Sequence, residues 1–542
     1  MADVALTPSS GRAVVLVVEG HWMWYRRNWR SSVVSSVLQP LLALVAFGVF
    51  FGRLAQGGAG LEQLTGGAPY LVYLTPALLC AAALQVAATE SSFPVFAGFQ
   101  WQKNYEGITA SPVTPAQLAT GQLSWVGLRV LAAGAVYLAV AAVFGGVRSA
   151  GVVVALVVAV LTGLAFAAPV SALSASLRRD GQAFNMLFRF VVVPMSLFAG
   201  TYFPIDRLPE WGPGRRRHHP AVAWHATGQG CSAGQLAARP QPRPPRLPAA
   251  VDRGRCHPGA LALPRSADPM SAVSTPRGGV LLRVLPPALY AGRSRVLVER
   301  SVITQRRAWM AVLSGFFEPL FYLLAFGTGL GTIVGTVESG GQQLGYAQFV
   351  APALLAASAM NGAALDSTNN VFFKFRYAKL YDTMLATPLG PLDVALGEIT
   401  WATVRGAMYA VGFLGVLAVL GLITTPWALL MLPAALLVCL GFAAVGMAAA
   451  TYLRSWQHLE YVQLVLVPMF LFSTTFYPLS VYPAALRVLV QVFPLFHGVQ
   501  VMRDLAAGAP DLGTLGHASY FVAMTLVGFA VVTRRLGTLL LR

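Results

Sequence analysis

Six polar side chains recur as two matched sets inside otherwise apolar stretches: Gln85, Glu90 and Arg129, then Asn361, Asp366 and Arg405. In each set the acid follows the amide by 5 residues and the arginine follows the acid by 39. Charge in hydrocarbon is expensive, so such groups either pair with one another or handle ions and substrate. A matched acid and base in each set points to two helix–helix ion pairs, Glu90–Arg129 and Asp366–Arg405. The functional alternative is proton carriage by Glu90 and Asp366. Glu318 stands opposite Gln39 in the repeat and has no matched base in its own half. No other chemistry is encoded. The chain has no Gly-Lys dipeptide and hence no phosphate loop of that kind. It has no His-Glu-x-x-His and no Gly-x-Ser-x-Gly, and Cys80, Cys231, Cys256 and Cys439 form no C-x-x-C pair. No catalytic residue, metal site or cofactor is expected, so ATP hydrolysis would fall to a separate subunit.

These residues need spanning helices to hold them. Of the 542 residues 56% are hydrophobic and 11% charged, against about 25% charged in soluble domains. Apolar runs near 33–51, 70–92, 122–145, 151–175 and 184–203 are candidate spans, as are 310–331, 346–369, 399–423, 426–450, 460–478 and 516–533. The fold class expected is an all-α, polytopic membrane protein. The formal charge of +18 fits basic loops on the cytoplasmic side better than nucleic-acid binding. The first apolar run follows Arg26, Arg27 and Arg30 without a signal-peptide pattern, and is expected to stay as an anchor. Trp22, Tyr25 and Trp29 share a helical face beside Arg26 and Arg30, as in a helix lying in the headgroup plane.

The chain is written twice. YLVYLTPALL at 70–79 answers YAQFVAPALL at 346–355, and at that offset Tyr105, Pro112, Pro115, Trp125 and Arg129 answer Tyr381, Pro388, Pro391, Trp401 and Arg405. With small indels, Ala46-Phe47-Gly48 answers Ala325-Phe326-Gly327, and Val193-Pro194-Met195 answers Val467-Pro468-Met469. Pro40, Pro319, Pro194 and Pro468 should kink their spans. The loops FQWQKNYEGITASPVTPAQLATGQLSW and FKFRYAKLYDTMLATPLGPLDVALGEITW hold all three lysines, a helix-forming stretch and two prolines that fix the exit direction. Tyr105, Pro112, Pro115, Tyr381, Asp382, Pro388 and Pro391 are the candidates for coupling to a partner; the bland reading is an ordinary basic loop.

Arginines and lysines put both ends of the second half, 290–542, inside, with six spans. The first half, 12–212, follows that scheme for five spans and then breaks. Residues 213–269 carry ten prolines and nine arginines and hold no apolar run, so five spans leave the first half outside where the second begins inside. The simplest resolution is a disturbed reading frame that fuses two coding regions, with MSAVSTPRGG from Met270 resembling a fresh start. The alternative is a solvated Pro/Arg-rich linker over 213–289.

The second half, from FFEPLFYLLAFGTGLG through VPMFLFSTTFYPLSVYP to FPLFHGVQVMRD, resembles ABC-2 type permeases of the nodulation protein J branch, itself similar to daunorubicin-type export permeases. The first half resembles them over 12–211. The resemblance implies two six-span halves enclosing a pathway, cytoplasmic coupling helices, and a separate ATP-binding-cassette ATPase dimer as partner. It further implies an amphipathic drug-like or glycolipid substrate moved outward across the bacterial inner membrane. A proton-coupled secondary transporter and a non-transporting scaffold are the competing classes.

Overall fold

The computed structural model describes residues 10–33, 37–55, 68–177, 182–204, 293–305, 309–339, 341–387, 389–455 and 458–540. The expected linker over 213–289 lies outside them. In the first half α1 is Ser10–Val33, α2 Gln39–Ala55, α3 Tyr70–Gln100, α4 Asn104–Thr109, α5 Pro115–Val143, α6 Gly151–Ser176 and α7 Ala183–Phe198. The second half repeats that order. There α8 is Ser294–Gln305, and α9 is Trp309–Leu324 continued through Ala325–Leu330 and Gly331–Val334. A hairpin of β1 (Thr336–Ser339) and antiparallel β2 (Gln342–Gly345) leads to α10, Tyr346–Arg376. Then come α11 (Leu380–Leu385), α12 (Pro391–Val419), α13 (Pro426–Tyr452) and α14 (Leu459–Phe472). Last are α15 (Ala484–Val492), α16 (Pro494–Ala507) and α17 (Leu512–Leu540).

Among the described residues eight helices are long and apolar enough to cross a membrane, and the eleven expected runs all fall on helices. The three shorter ones are α2, α7 and α14, and in all three proline enters the run. In α2, α7 and α9 a stretch of π-helix accompanies it, at Leu44–Phe51, Phe188–Val192 and Ala325–Leu330. Proline withholds an N–H from the i→i−4 ladder, and a wider turn is one way to absorb the gap. One element was not expected: α15 and α16 meet at 87°, so this apolar pair is a broken span or a re-entrant loop.

A sequence difference explains why α3 is broken and α10 is not. Pro94 stands where the second half has Asn370. Without an amide hydrogen, Pro94 cannot bond the Glu90 carbonyl, and the chain leaves helical geometry at Ser92 (φ −94°, ψ −100°). The Ser91 carbonyl freed near the break accepts the Ser174 hydroxyl of α6 at 2.7 Å.

Helices α3 and α10 form the buried centre. The halves meet through two equivalent contacts, α7 against α9 and α14 against α2. Between them lie paired aromatics. Phe47 stacks on its counterpart Phe326 with centroids 5.4 Å apart, and both rings touch Tyr202 and Phe476, which are also counterparts. Helix α1 lies along α5 where Gly121 admits it: a Cβ there would fall 2.7 Å from Val17. Gly397 does the same for Leu297 of α8. The aromatic face expected on α1 is split. Trp22 and Trp29 are exposed, but Tyr25 turns inward against Trp125 and beneath the Arg129 guanidinium, 4.4 Å from its ring centre. A cation over a tyrosine ring is attractive enough to hold that orientation.

Candidate functional site

The two polar sets come together as follows. Arg129 Nε donates to Glu90 Oε1 at 2.9 Å, from α5 to α3. Arg405 donates through Nη1 to Asp366 Oδ1 and through Nη2 to the Tyr409 hydroxyl at 3.2 Å, from α12 to α10 and within α12. Asn370 also donates to Asp366. Both arginines and Asp366 are buried or nearly so, as a charged group in a membrane interior requires. Gln85 is half-buried on α3, where its carbonyl accepts the Thr89 hydroxyl at 2.9 Å. Asn361 is half-buried on α10 and lines a cleft with Tyr409.

Glu318, expected without a base, has one. Arg189 of α7 lies 3.4 Å from it across the contact between the halves. A pair made between two copies cannot be found by aligning one copy on the other. Sequence reasoning did not single out Tyr409 or Glu398, and it placed Lys374 only among the basic residues of its loop, without a partner. Lys374 Nζ sits 2.7 and 2.9 Å from the two oxygens of Glu398, which is buried. Nor did it single out Arg503, which bonds the Thr474 carbonyl at 2.6 Å and lies 3.8 Å from the centre of the Phe349 ring.

The two loop segments fold alike. Lys103 and Lys379 both adopt left-handed backbone (φ 53° and 45°), and each starts a six-residue helix, α4 and α11. Such φ values cost a side-chain-bearing residue energy, and the same cost is carried at matched positions. Tyr105 and Tyr381 point inward. Burial pushes the Tyr105 phenol up to about 12, so it stays a donor, and it bonds Gln122 Oε1 at 3.1 Å. Burial also raises the Tyr381 phenol. The outward surface of these two loop segments, each an elbow from the left-handed lysine through its short helix to the next span, is made instead by Glu106, Gly107 and Thr109, and by Asp382 and Thr383. Pro112 is exposed, and Pro115 and Pro391 open α5 and α12 at their first positions, where a missing N–H costs nothing. Pro388 lies outside the described residues. At the neighbouring ends of α3 and α10, Trp101 meets its counterpart Tyr377 with centroids 6.3 Å apart.

Two halves whose first seven helices follow the same order, joined along paired aromatics, with buried charge pairs and matched elbows at one end, make the membrane-spanning part of a transporter. The family profile described as ABC-2 type transporter matches residues 12–212 and 293–506. The chain belongs to the ABC-2 type transporter family and carries its pattern in tandem. Nodulation protein J of Rhizobium leguminosarum bv. trifolii is 31% identical over 247 residues, 45% of this chain and 92% of that protein. The protein of the same name from Rhizobium leguminosarum bv. viciae is 29% identical over 245 residues, 44% of this chain and 92% of its own length. That of Rhizobium meliloti (strain 1021) is 30% identical over 238 residues, 43% and 87%. Nearly a whole relative thus corresponds to less than half of this chain. No solved structure matches.

Proposed function

We propose that this permease exports an amphipathic substrate, drug-like or of glycolipid and lipo-oligosaccharide type, driven by a separate ATP-binding-cassette ATPase dimer. The elbows and the C-terminus then lie on the cytoplasmic side of the bacterial inner membrane, where Arg376, Lys379, Arg454, Arg534 and Arg535 gather by the positive-inside rule. The observation that carries this reading is the twin elbow. A strained lysine, a six-residue helix and a proline-led span recur at matched positions, with Glu106 and Asp382 facing out. A rigid, repeated, outward-facing element is what a two-fold ATPase can push on. We infer too that 213–269 is a frame-disturbed junction, which resequencing of the locus tests directly.

The experiment is reconstitution of the chain with an ATP-binding-cassette ATPase subunit, sought first among the neighbouring genes. Reversing the outward charges, Glu106→Arg with Asp382→Arg, should lower both efflux and stimulated hydrolysis by about tenfold, since like-charge contact at an interface costs more than 1 kcal/mol. Folding should not change, because both side chains are exposed. Wild-type efflux and hydrolysis in the double variant would make the elbows ordinary connections. Efflux that follows a proton gradient without any ATPase would favour the secondary-transporter class.

A further inference from the structure

The two contacts between the halves are equivalent in backbone and unlike in chemistry. Where α7 meets α9, a cleft on the flank is lined by Arg189, Glu318, Ser358, Asn361 and Tyr409. Where α14 meets α2, the cleft is lined by Leu38, Leu42, Leu464 and Val467, with Gln39, Gln463 and Glu460 and, among the described residues, no basic side chain. The repeat makes the comparison position by position. Glu318 answers Gln39 and Arg189 answers Gln463 at the offsets of the flanking Ala-Phe-Gly and Val-Pro-Met triplets. Tyr409 answers Ala133 and Gly362 answers Val86. The glycines shape the polar cleft. A Cβ on Gly315 would fall 2.5 Å from the Tyr409 ring, so Gly315 must stay bare for Tyr409 to reach the cleft wall, and one on Gly362 would crowd the ring at 3.2 Å.

We propose that this one flank is the entry site for the polar head of the transported amphiphile, that the head is net neutral and hydroxyl-rich, as a sugar is, and that the opposite flank does not admit it. The proposal rests on the transporter reading above and names the site it would use. The Arg189 and Glu318 side chains are 22% and 31% exposed, so the pair is reachable from the flank. Their separation is 3.4 Å, against about 2.7–2.9 Å for a tight charge-assisted bond. The lining balances one positive and one negative group and adds an amide and the three hydroxyls of Tyr322, Ser358 and Tyr409. A net anion would meet Glu318 and a net cation Arg189. Sugar hydroxyls donate and accept alike, and so satisfy guanidinium, carboxylate and amide together.

The test uses the full chain in lipid nanodiscs with a photoreactive alkyl maltoside and peptide mapping of the label. Label is expected on the segments around 183–198 and 357–362 and not on those around 38–42 and 459–467. Removing both charges and their hydrogen-bonding groups, Arg189→Leu with Glu318→Leu, should cut it about tenfold or more, since a site built to bond hydroxyls loses heavily when its partners go. Gln39→Leu with Gln463→Leu should leave it unchanged. Should the charge variant fail to fold, Ser358→Leu fills the cleft without touching either charge, and undiminished label there overturns the proposal. Equal label on both flanks overturns it, as does undiminished label in the charge variant or equal label from an alkyl sulfate probe. The labelling is read without the ATPase. Label in the cleft without efflux on reconstitution contradicts the transporter reading alone, and efflux without label in the cleft contradicts the site alone.

Discussion

Lys374 and Glu398 lock the second elbow with charge, where the first elbow does the same work without it. Glu398 Oε2 lies 2.7 Å from Lys374 Nζ, with the two side chains 7% and 27% exposed. At the matched positions the first half has Gln122 and Gly98, and Tyr105 crosses to Gln122 over the bare glycine. Lys374→Gly alone leaves a buried carboxylate without its lysine, a loss of about 3–5 kcal/mol. A helical glycine adds up to about 1 kcal/mol. Glu398→Gln alone should cost less, about 1–2 kcal/mol, because the partly exposed ammonium can turn toward water. The double variant recreates the first half's arrangement, with Tyr381 placed to bond the new amide as Tyr105 bonds Gln122. Its cost should fall to roughly the helical glycine alone, about 1 kcal/mol. The coupling is then about 4–7 kcal/mol. At about 2–4 °C per kcal/mol for units of this size, Lys374→Gly lowers the melting temperature by on the order of 10 °C and the double variant by a few degrees. Thermal unfolding of the four purified chains measures this cycle. Additive losses, or a single Lys374→Gly loss no larger than that of a helical glycine, would refute the reasoning.

Two further outcomes follow from the elbows. Lys103→Gly and Lys379→Gly remove a left-handed penalty at φ 53° and 45°. Each should raise stability by up to about 1 kcal/mol, seen as a small rise in melting temperature; a fall in both would show that the lysine side chains matter more than their backbone. Gly98→Ala places a methyl 2.5 Å from the Tyr105 ring. It should cost about 1–3 kcal/mol by overpacking, while Gly107→Ala, with open space around it, should not; equal effects of the two in the same thermal assay would remove the packing argument.

The spans and the tandem repeat were legible because apolar run length and fixed-offset identities are properties of the chain itself. The charge sets were legible for the same reason: a lone acid in an apolar run is conspicuous, and its arginine sits in the next span of the same half. The α15–α16 pair was not, because Pro483 and Pro494 cut its apolar run and Arg503 and Asp504 make its end look like a loop. In the structure that arginine is satisfied by the carbonyl and hydroxyl of Thr474 and by the Phe349 ring. These partners are 29 and 154 residues away, beyond any local pattern. The Arg189–Glu318 pair was illegible for a stricter reason. Its members belong to different copies, and matching the copies to each other shows only that glutamine stands at both corresponding places.

What the copies share and what they do not separate by position. Residues between the two halves keep their chemistry: Phe47 with Phe326, Tyr202 with Phe476, Trp101 with Tyr377. Each ring there packs against its own counterpart or against its counterpart's neighbours, so a change on one side alters the fit of both. Away from this aromatic centre the copies differ: at the two flank contacts, where Arg189 and Glu318 pair across the halves on one side and Gln463 and Gln39 stand on the other, and in the elbows, where Lys374 and Glu398 answer Gly98 and Gln122. A symmetric pair of identical chains would have to carry every flank residue twice, because its interface repeats under the two-fold. A tandem chain is free of that constraint. It can keep one barrier built equally from both halves and still place a charged cleft on a single side.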